Sequence, residues 1–151
     1  MKNATLWLLL ALAVAAALAG GAVLTLPPGT QNPIVTMFAN AIAFAEGFFV
    51  AGSRSQRNNN PGDVTDSFGQ ATTGQDGPFP IFASVQDGWN ALYKQVYLMF
   101  YGGSKHYNSS MTIAQVGAIY ANGDPNWANN VAANLGVTTD TTLNQLMTAG
   151  G

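Results

Sequence analysis

Between Asn32 and Leu146 the chain repeatedly places a capping residue in front of an apolar stripe at helical spacing, and this pattern constrains the fold more than any other feature. Asn32 followed by Pro33 offers an N-cap with proline at the first helical position, opening a helix that closes at Glu46-Gly47. Ser84-Val85-Gln86-Asp87 resembles a capping box with Asp in place of the usual Glu. It introduces a helix through about Tyr101, with Val85, Trp89, Leu92, Val96 and Met99 as its buried stripe and Gly102-Gly103 as its stop. Thr112 caps a third helix in which Ile113, Val116, Ile119 and Tyr120 share a face. Asp124-Pro125 starts a fourth, carrying Trp127, Val131 and Leu135 and ended by Gly136, and Thr139 or Asp140 caps a last short one with Leu143 and Leu146.

The remaining segments are not helical. Residues 51–78 are rich in Gly, Ser, Asn, Asp and Gln without sustained periodicity, and read as a long loop with room for short strands. Phe79-Pro80-Ile81-Phe82-Ala83 reads as a short extended element, since Phe79 precedes a proline and Pro80 suits an edge. The expected fold is mainly α with a small β insertion.

Composition narrows the partners. Only 8% of the 151 residues are charged, far below the usual quarter. Beyond Lys2, four basic residues (Arg54, Arg57, Lys94, Lys105) face seven acidic ones, so no basic patch argues for nucleic acid. There is no cysteine, which excludes disulfides and thiolate metal sites, and the lone His106 in a Gly-Ser-Lys-His-Tyr-Asn loop makes a zinc site improbable. No phosphate-binding glycine loop and no nucleophilic triad is discernible, and no cofactor is expected.

Met1-Lys2 followed by the uncharged run Leu6–Leu26 reads as an export element over residues 1–26. Ala17-Leu18-Ala19 fits a signal-peptidase site, whereas the run is also long enough to stay as a membrane anchor through residues 6–26. Either way residues 27–151 are expected outside the cytoplasm: periplasmic, anchored to the inner membrane, extracellular or carried on a virion. Leu26-Pro27-Pro28-Gly29-Thr30-Gln31 begins a linker over 27–32, leaving 33–151 as the domain.

Glu46 is the chain's only glutamate, and it continues the apolar stripe of Phe38 and Ile42 at i, i+4 and i+8. Burial beside aromatic groups disfavours the charged carboxylate, so the proton stays available to an acid that protonates a leaving oxygen. Asn58-Asn59-Asn60-Pro61-Gly62 is turn chemistry whose amides also suit a saccharide groove, because neutral amides bind hydroxyls without a large desolvation cost. Arg57 is placed to bond Glu46 or an acidic substituent of a glycan, or to be simply solvated. Phe48, Phe49, Trp89 and Trp127 offer stacking faces for sugars, but Trp89 and Trp127 fall on helix stripes and fit the core better.

Three segments in order carry a resemblance: Ile42-Ala43-Phe44-Ala45-Glu46-Gly47-Phe48, then Arg57-Asn58-Asn59-Asn60-Pro61-Gly62-Asp63, then Phe79-Pro80-Ile81-Phe82-Ala83-Ser84 leading to Asp87-Gly88-Trp89-Asn90-Ala91-Leu92. The chain resembles, from about Ile34 to Leu146, lysozyme-like proteins of phage and bacteria related to lytic transglycosylases. The resemblance implies an α+β lysozyme-like fold and cleavage of the β-1,4 bond between N-acetylmuramic acid and N-acetylglucosamine in peptidoglycan. It makes Glu46 the catalytic acid and base.

Ala118-Ile119-Tyr120-Ala121-Asn122-Gly123 is similar to the family's Ala-Tyr-Asn-x-Gly stretch, with one alanine separating Tyr120 from Asn122. It implies a catalytic role for Tyr120 and substrate contact for Asn122, although Tyr120 as a core aromatic with Asn122-Gly123 ending the helix fits equally. Ser67-Phe68-Gly69-Gln70 is faintly similar to a Gly-Leu-x-Gln segment whose glutamine binds substrate, which implies the same for Gln70. Arg57, Asn59 and Asn60 complete the expected substrate contacts. Asp63 and Asp66 are the candidates for a water-activating base should the reaction be hydrolytic, as in a lysozyme or glucosaminidase. A catalytically silent, wall-binding or structural protein on the same fold is the alternative from another class. Local opening of the wall for a secretion machine, pilus or phage particle is the expected setting.

Overall fold

The computed structural model describes residues 32–149. It is mainly helical with one small antiparallel sheet. In chain order come α1 (Pro33–Ala45), α2 (Arg54–Arg57), β1 (Thr72–Asp76), β2 (Phe79–Phe82), α3 (Val85–Tyr101), α4 (Ile113–Tyr120), α5 (Pro125–Leu135) and α6 (Leu143–Ala149). The apolar segment 1–26 and most of the linker lie outside the described residues, and none of the described helices is long and apolar enough to cross a membrane.

Helix α1 is the centre of the domain. Its side chain at Asn32 accepts from the Ile34 amide, and Ile34, Val35, Phe38, Ala39, Ala41, Ile42 and Ala43 are all buried. A helix buried around most of its circumference can carry no charge, which accounts for the uncharged segment. It packs against α5 and α3, and the Phe38 and Phe100 rings meet edge to face with centroids 5.3 Å apart. Its C-terminus is fixed by local chemistry. Gly47 adopts φ +72°, its amide donates to the Phe44 carbonyl, and the Phe48 amide donates to the Ala43 carbonyl. This pair of bonds is a Schellman closure, which needs a left-handed residue after the cap. Glu46 is the cap residue itself, so Glu-Gly-Phe is a helix stop that aims one carboxylate. Phe48 then packs edge-on against Trp89 of α3 at 5.7 Å.

The region 51–78, expected as loop with short strands, contains β1 and also the single turn α2. Ser53 caps α2 by accepting from the Gln56 amide, and the Gln56 side chain reaches back to the Gly52 amide at 2.7 Å. Strands β1 and β2 form a hairpin through Gly77-Pro78, with Asp76 opposite Phe79. Gly77 has φ +60°, and with proline second in the loop this is a type II′ turn. Thr73 bulges between the pairs Thr72–Phe82 and Gly74–Ile81.

The asparagine loop is nailed to this hairpin and to α3. Asn60 is fully buried, donates to the carbonyls of Val64 (2.9 Å) and Pro80 (3.3 Å), and accepts from the Val64 amide. Asn59 donates to the Phe82 carbonyl at 3.1 Å, and Asn58 to Asp76 at 3.1 Å. Gly88 of α3 permits the close approach: a Cβ there would lie 1.8 Å from the Asn59 carbonyl oxygen and 2.8 Å from Pro61. The Asn-Asn-Pro-Gly and Gly-Trp segments are thus two halves of one packing contact.

Helices α3, α4 and α5 begin at Ser84, Thr112 and Asp124, and Gly136 ends α5 in the left-handed region. The structure departs from the sequence expectation at two places. Ile119 is exposed, and α4 instead buries Ile113, Val116 and Gly117. A Cβ at Gly117 would stand 3.1 Å from both Trp127 and Ala128, so the smallest residue marks the contact line with α5. The last helix is capped by Thr142, whose hydroxyl accepts from the Gln145 amide while Gln145 accepts from the Thr142 amide. Thr139 and Thr141 are taken up earlier, their carbonyls accepting from Ala114 and Ile113, and Thr112 bridges Thr142.

Candidate active site

A cleft of about 310 Å³ opens at the C-terminal end of α1, lined by Glu46 together with Arg54, Asp63, Phe79 and the facing residues of α4 and α5. Each of its groups is placed by the local chemistry described above. Glu46 Oε1 accepts from the Trp127 indole N–H at 2.8 Å. Asp63 sits at φ +44°, a conformation that aspartate tolerates better than most residues. Its Oδ2 accepts from Arg54 Nε at 3.1 Å and from Nη2 at 2.8 Å, while its Oδ1 is buried with no partner. Arg54 in turn lies over the Phe79 ring, 3.9 Å from the centroid.

The aromatic pair on the far wall ties the two carboxylate-bearing segments together. Tyr120 and Trp127 stack with centroids 4.8 Å apart. Trp127 donates to Glu46, and the Tyr120 hydroxyl donates to the carbonyl of Gly62, the residue before Asp63. Gly62 is the only residue type that fits there: a Cβ would meet Leu92 at 2.5 Å and the Tyr120 oxygen at 3.0 Å. Burial, with the Glu46 charge adding, raises the Tyr120 phenol well above its ordinary range. Tyr120 is therefore a neutral donor committed to the Gly62 carbonyl, and its hydrogen bond goes to the backbone rather than to Glu46.

The electrostatics of Glu46 follow from the same neighbours. Burial is the largest effect and the negative charge of Asp63 the next, and together they push its pKa up from 4.5 to about 7. The Trp127 hydrogen bond and the Arg54 charge oppose the rise without cancelling it. An acid of this strength is half protonated near neutral pH, the condition under which one carboxyl group can donate a proton and later take one back. If the protonated form is the working one, activity is high below about pH 7 and declines above it. Asp63→Asn removes a charge that raises the pKa, so the alkaline limb of the pH–rate profile moves to lower pH. Trp127→Phe removes a donor that favours the carboxylate, so the same limb moves to higher pH. Opposite shifts in the two variants are the expected result, and equal profiles would detach both residues from Glu46.

The other residues singled out from sequence divide cleanly. Asn122 lines the cleft at φ +50°. Asn59 and Asn60 do not line it, and their amides are taken up by backbone carbonyls of the hairpin strand β2 and, for Asn60, also of Val64. Gln70 accepts from Asn90 at 3.2 Å and also stands apart from the cleft. Arg57 donates to the Gly52 carbonyl and is exposed, so the cleft arginine is Arg54. Asp66 is exposed and accepts from the Phe68 amide within its own turn. Trp89 and Trp127 are buried, whereas Phe49 is exposed outside the cleft. Arg54, Phe79, Asn126 and Asn130 line the cleft without having stood out in the sequence. For Arg54 a signal existed, since Ser53-x-x-Gln56 is a helix start that fixes the phase of the turn carrying it. Among the described residues no group of three or more His, Asp or Glu is placed to hold a metal ion.

No protein-family model, curated protein or solved structure matches this chain.

Proposed function

We propose that the protein is a peptidoglycan lytic enzyme of lysozyme-like fold, cleaving the β-1,4 bond between N-acetylmuramic acid and N-acetylglucosamine by a lytic transglycosylase reaction. The observation that carries this reading is the single glutamate at the end of α1, in a cleft that raises its pKa to about 7. Glu46 donates its proton to the glycosidic oxygen as the bond to the muramic acid C1 breaks. The resulting carboxylate then accepts the proton of that sugar's 6-hydroxyl as O6 closes on C1, giving a 1,6-anhydro end and restoring the acid. One carboxyl group serves both steps, in contrast to the paired carboxylates of most glycoside hydrolases.

Asp63 supports this version over a hydrolytic one. Its Oδ2 is held twice by Arg54, and its Oδ1 has no contact with solvent. A carboxylate so enclosed is poorly placed to activate water, but its charge favours both a protonated Glu46 and positive charge developing at C1. The presence of a second carboxylate in the same cleft nonetheless favours hydrolysis as the second reading, with Asp63 as base.

The wild-type, full-length protein is expected to release soluble glycan from purified sacculi. Sedimentation with sacculi but no release would replace this reading with that of a non-catalytic wall-binding or structural protein. The cellular setting that fits such an enzyme is a local opening of the wall for a secretion machine, pilus or phage particle, with residues 1–26 directing export or anchoring the chain.

A further inference from the structure

Beyond the C-terminal end of α1 the chain holds apolar side chains out in water. Phe44, Phe49 and Val50 are 57%, 53% and 63% exposed, and Ala51 and Gly52 beside them are exposed too. Of the exposed large apolar side chains among the described residues, only Tyr101 and Ile119 lie elsewhere. The tip is firmly built. The Val50 amide donates to the Gly47 carbonyl at 2.9 Å and the Ser53 amide to the Val50 carbonyl at 3.1 Å. Phe49 meets Phe48 edge to face at 5.4 Å, and Phe48 rests on Trp89 at 5.7 Å, so aromatic rings run unbroken from the core to the tip. Apolar surface held outward in this way marks an interaction site. Charge around the tip also differs from that of the rest of the domain. Residues 32–62 carry Arg54 and Arg57 against Glu46 alone, whereas residues 63–149 carry Lys94 and Lys105 against Asp63, Asp66, Asp76, Asp87, Asp124 and Asp140. Arg54 is engaged by Asp63. Arg57 is exposed, forms no ion pair among the described residues, and donates to the carbonyl of Gly52 at the tip itself. A cation beside exposed apolar groups, on an otherwise acidic domain, fits a partner with an anionic surface and an apolar interior.

We propose that the tip, residues 47–57 with Phe44 one turn earlier, docks on the surface of an anionic lipid bilayer. Phe49 and Val50 enter the acyl boundary, and Arg57 meets the headgroups. Size separates this partner from a protein. A stable protein interface takes about 20–30 residues a side, matched in shape, far more than three protruding side chains. A bilayer accepts protruding side chains without a preformed pocket, and apolar groups beside a cation hold to one that is negatively charged. Chain geometry permits the contact. Helix α1 has 13 residues, a length of about 20 Å at about 1.5 Å per residue, so the tip stands about that far from Asn32. Residues 27–32 reach about 20 Å when fully extended, so the apolar run 6–26 and the tip can meet the same bilayer. Glu46 and Arg54, which line the cleft, bracket the tip in the chain, and docking therefore holds the cleft beside the membrane. Membrane docking of this kind is independent of what the cleft cleaves.

The chain has no cysteine, so Ala51→Cys carries a single environment-sensitive fluorophore at the tip while Phe49 and Val50 stay intact. Full-length protein so labelled is mixed with vesicles of phosphatidylcholine, with or without phosphatidylglycerol, whose brominated acyl chains quench on contact. The expected result is a blue shift and about twofold or greater quenching on the anionic vesicles, less on the neutral ones, and less again in high salt. A label at Asn144→Cys, exposed on α6, should be quenched little, which separates contact at the tip from tethering through residues 6–26. Phe49→Ser combined with Val50→Ser should remove the quenching at position 51 with the melting temperature unchanged, since both side chains are exposed. Should that variant melt lower, the contrast between positions 51 and 144 decides. Absence of quenching at 51, equal quenching at 51 and 144, quenching indifferent to anionic lipid, or quenching kept by a folded double variant overturns the proposal. A blue shift without quenching that grows with protein concentration would mean that a second copy covers the tip, and overturns it as well.

Discussion

Glu46→Gln is expected to lower glycan release by about a hundredfold to ten-thousandfold, the range associated with losing a positioned general acid and base. The substitution keeps the geometry. The amide oxygen can still accept from the Trp127 indole, and the amide nitrogen can donate towards Asp63, so the fold around the cleft is preserved. The same variant should be more stable than the wild type at neutral and alkaline pH, and the sign follows from linkage. The folded-state pKa of Glu46 is raised to about 7 from 4.5, so the folded protein holds this proton more tightly than the unfolded chain. Its contribution is fully present below pH 4.5 and is lost as the pH rises through about 7. At about 1.4 kcal/mol per unit, and allowing for a half-buried group facing a solvent-filled cleft, the wild type forfeits about 2 kcal/mol. Glutamine has no proton to lose. Urea titrations of both proteins from pH 4 to pH 8 should therefore diverge as pH rises. Curves that stay parallel would mean that Glu46 carries no raised pKa, and the electrostatic half of the account would fall.

The second large effect is at Gly88, far from any reacting atom. Helix propensity alone favours alanine over glycine by about 1 kcal/mol inside a helix. The packing argument has the opposite sign. A Cβ at this position would lie 1.8 Å from a backbone carbonyl oxygen, that of Asn59, which is not the movable end of a side chain. Either α3 or the asparagine loop must shift, and forced displacements of this kind cost about 1–3 kcal/mol or more. We expect Gly88→Ala to lower stability by about 2 kcal/mol, read as a lower urea midpoint with an unchanged slope. It should also reduce activity, because the displaced loop carries Asp63, which lines the cleft, and Gly62, whose carbonyl accepts from Tyr120. A neutral or stabilising result would show that the loop and α3 are less tightly joined than the structure indicates.

How much of this was legible in the sequence depended on whether the signal was local. Asn32-Pro33, Ser84, Thr112 and Asp124-Pro125 mark real helix starts because a cap is a contact between neighbours in the chain. The last helix was misplaced for a tertiary reason. Residues 139–142 are drawn into bonds with 112–114, which postpones the cap to Thr142. The Thr142-x-x-Gln145 pattern was available as a signal, as was Thr112-x-x-Gln115. Ile119 looked buried because it is large and apolar, but α4 and α5 approach so closely at Gly117 that the contact face turns away from it.

The candidate site was legible at Glu46 and less so around it. Two arginines sit three residues apart on α2, and which one enters the cleft depends on the phase of a single helical turn. Amides in a run of asparagines suggest a sugar groove, yet Asn59 and Asn60 bind the backbone of the hairpin. Asn126 and Asn130, which do line the cleft, belong to α5 and enter it only because that helix packs on α1. Trp127 reads as core from its stripe and is indeed buried, but no periodicity reveals that its indole N–H ends on Glu46.

In the proposed reaction Glu46 alone serves as acid and then base in cutting the glycan. Mass analysis of the fragments released from sacculi by the full-length protein tests it most directly, with Glu46→Gln as the paired control. Muropeptides with 1,6-anhydro ends are expected from the wild type and none from the variant. Fragments with free reducing ends, or equal release by Glu46→Gln, would contradict it.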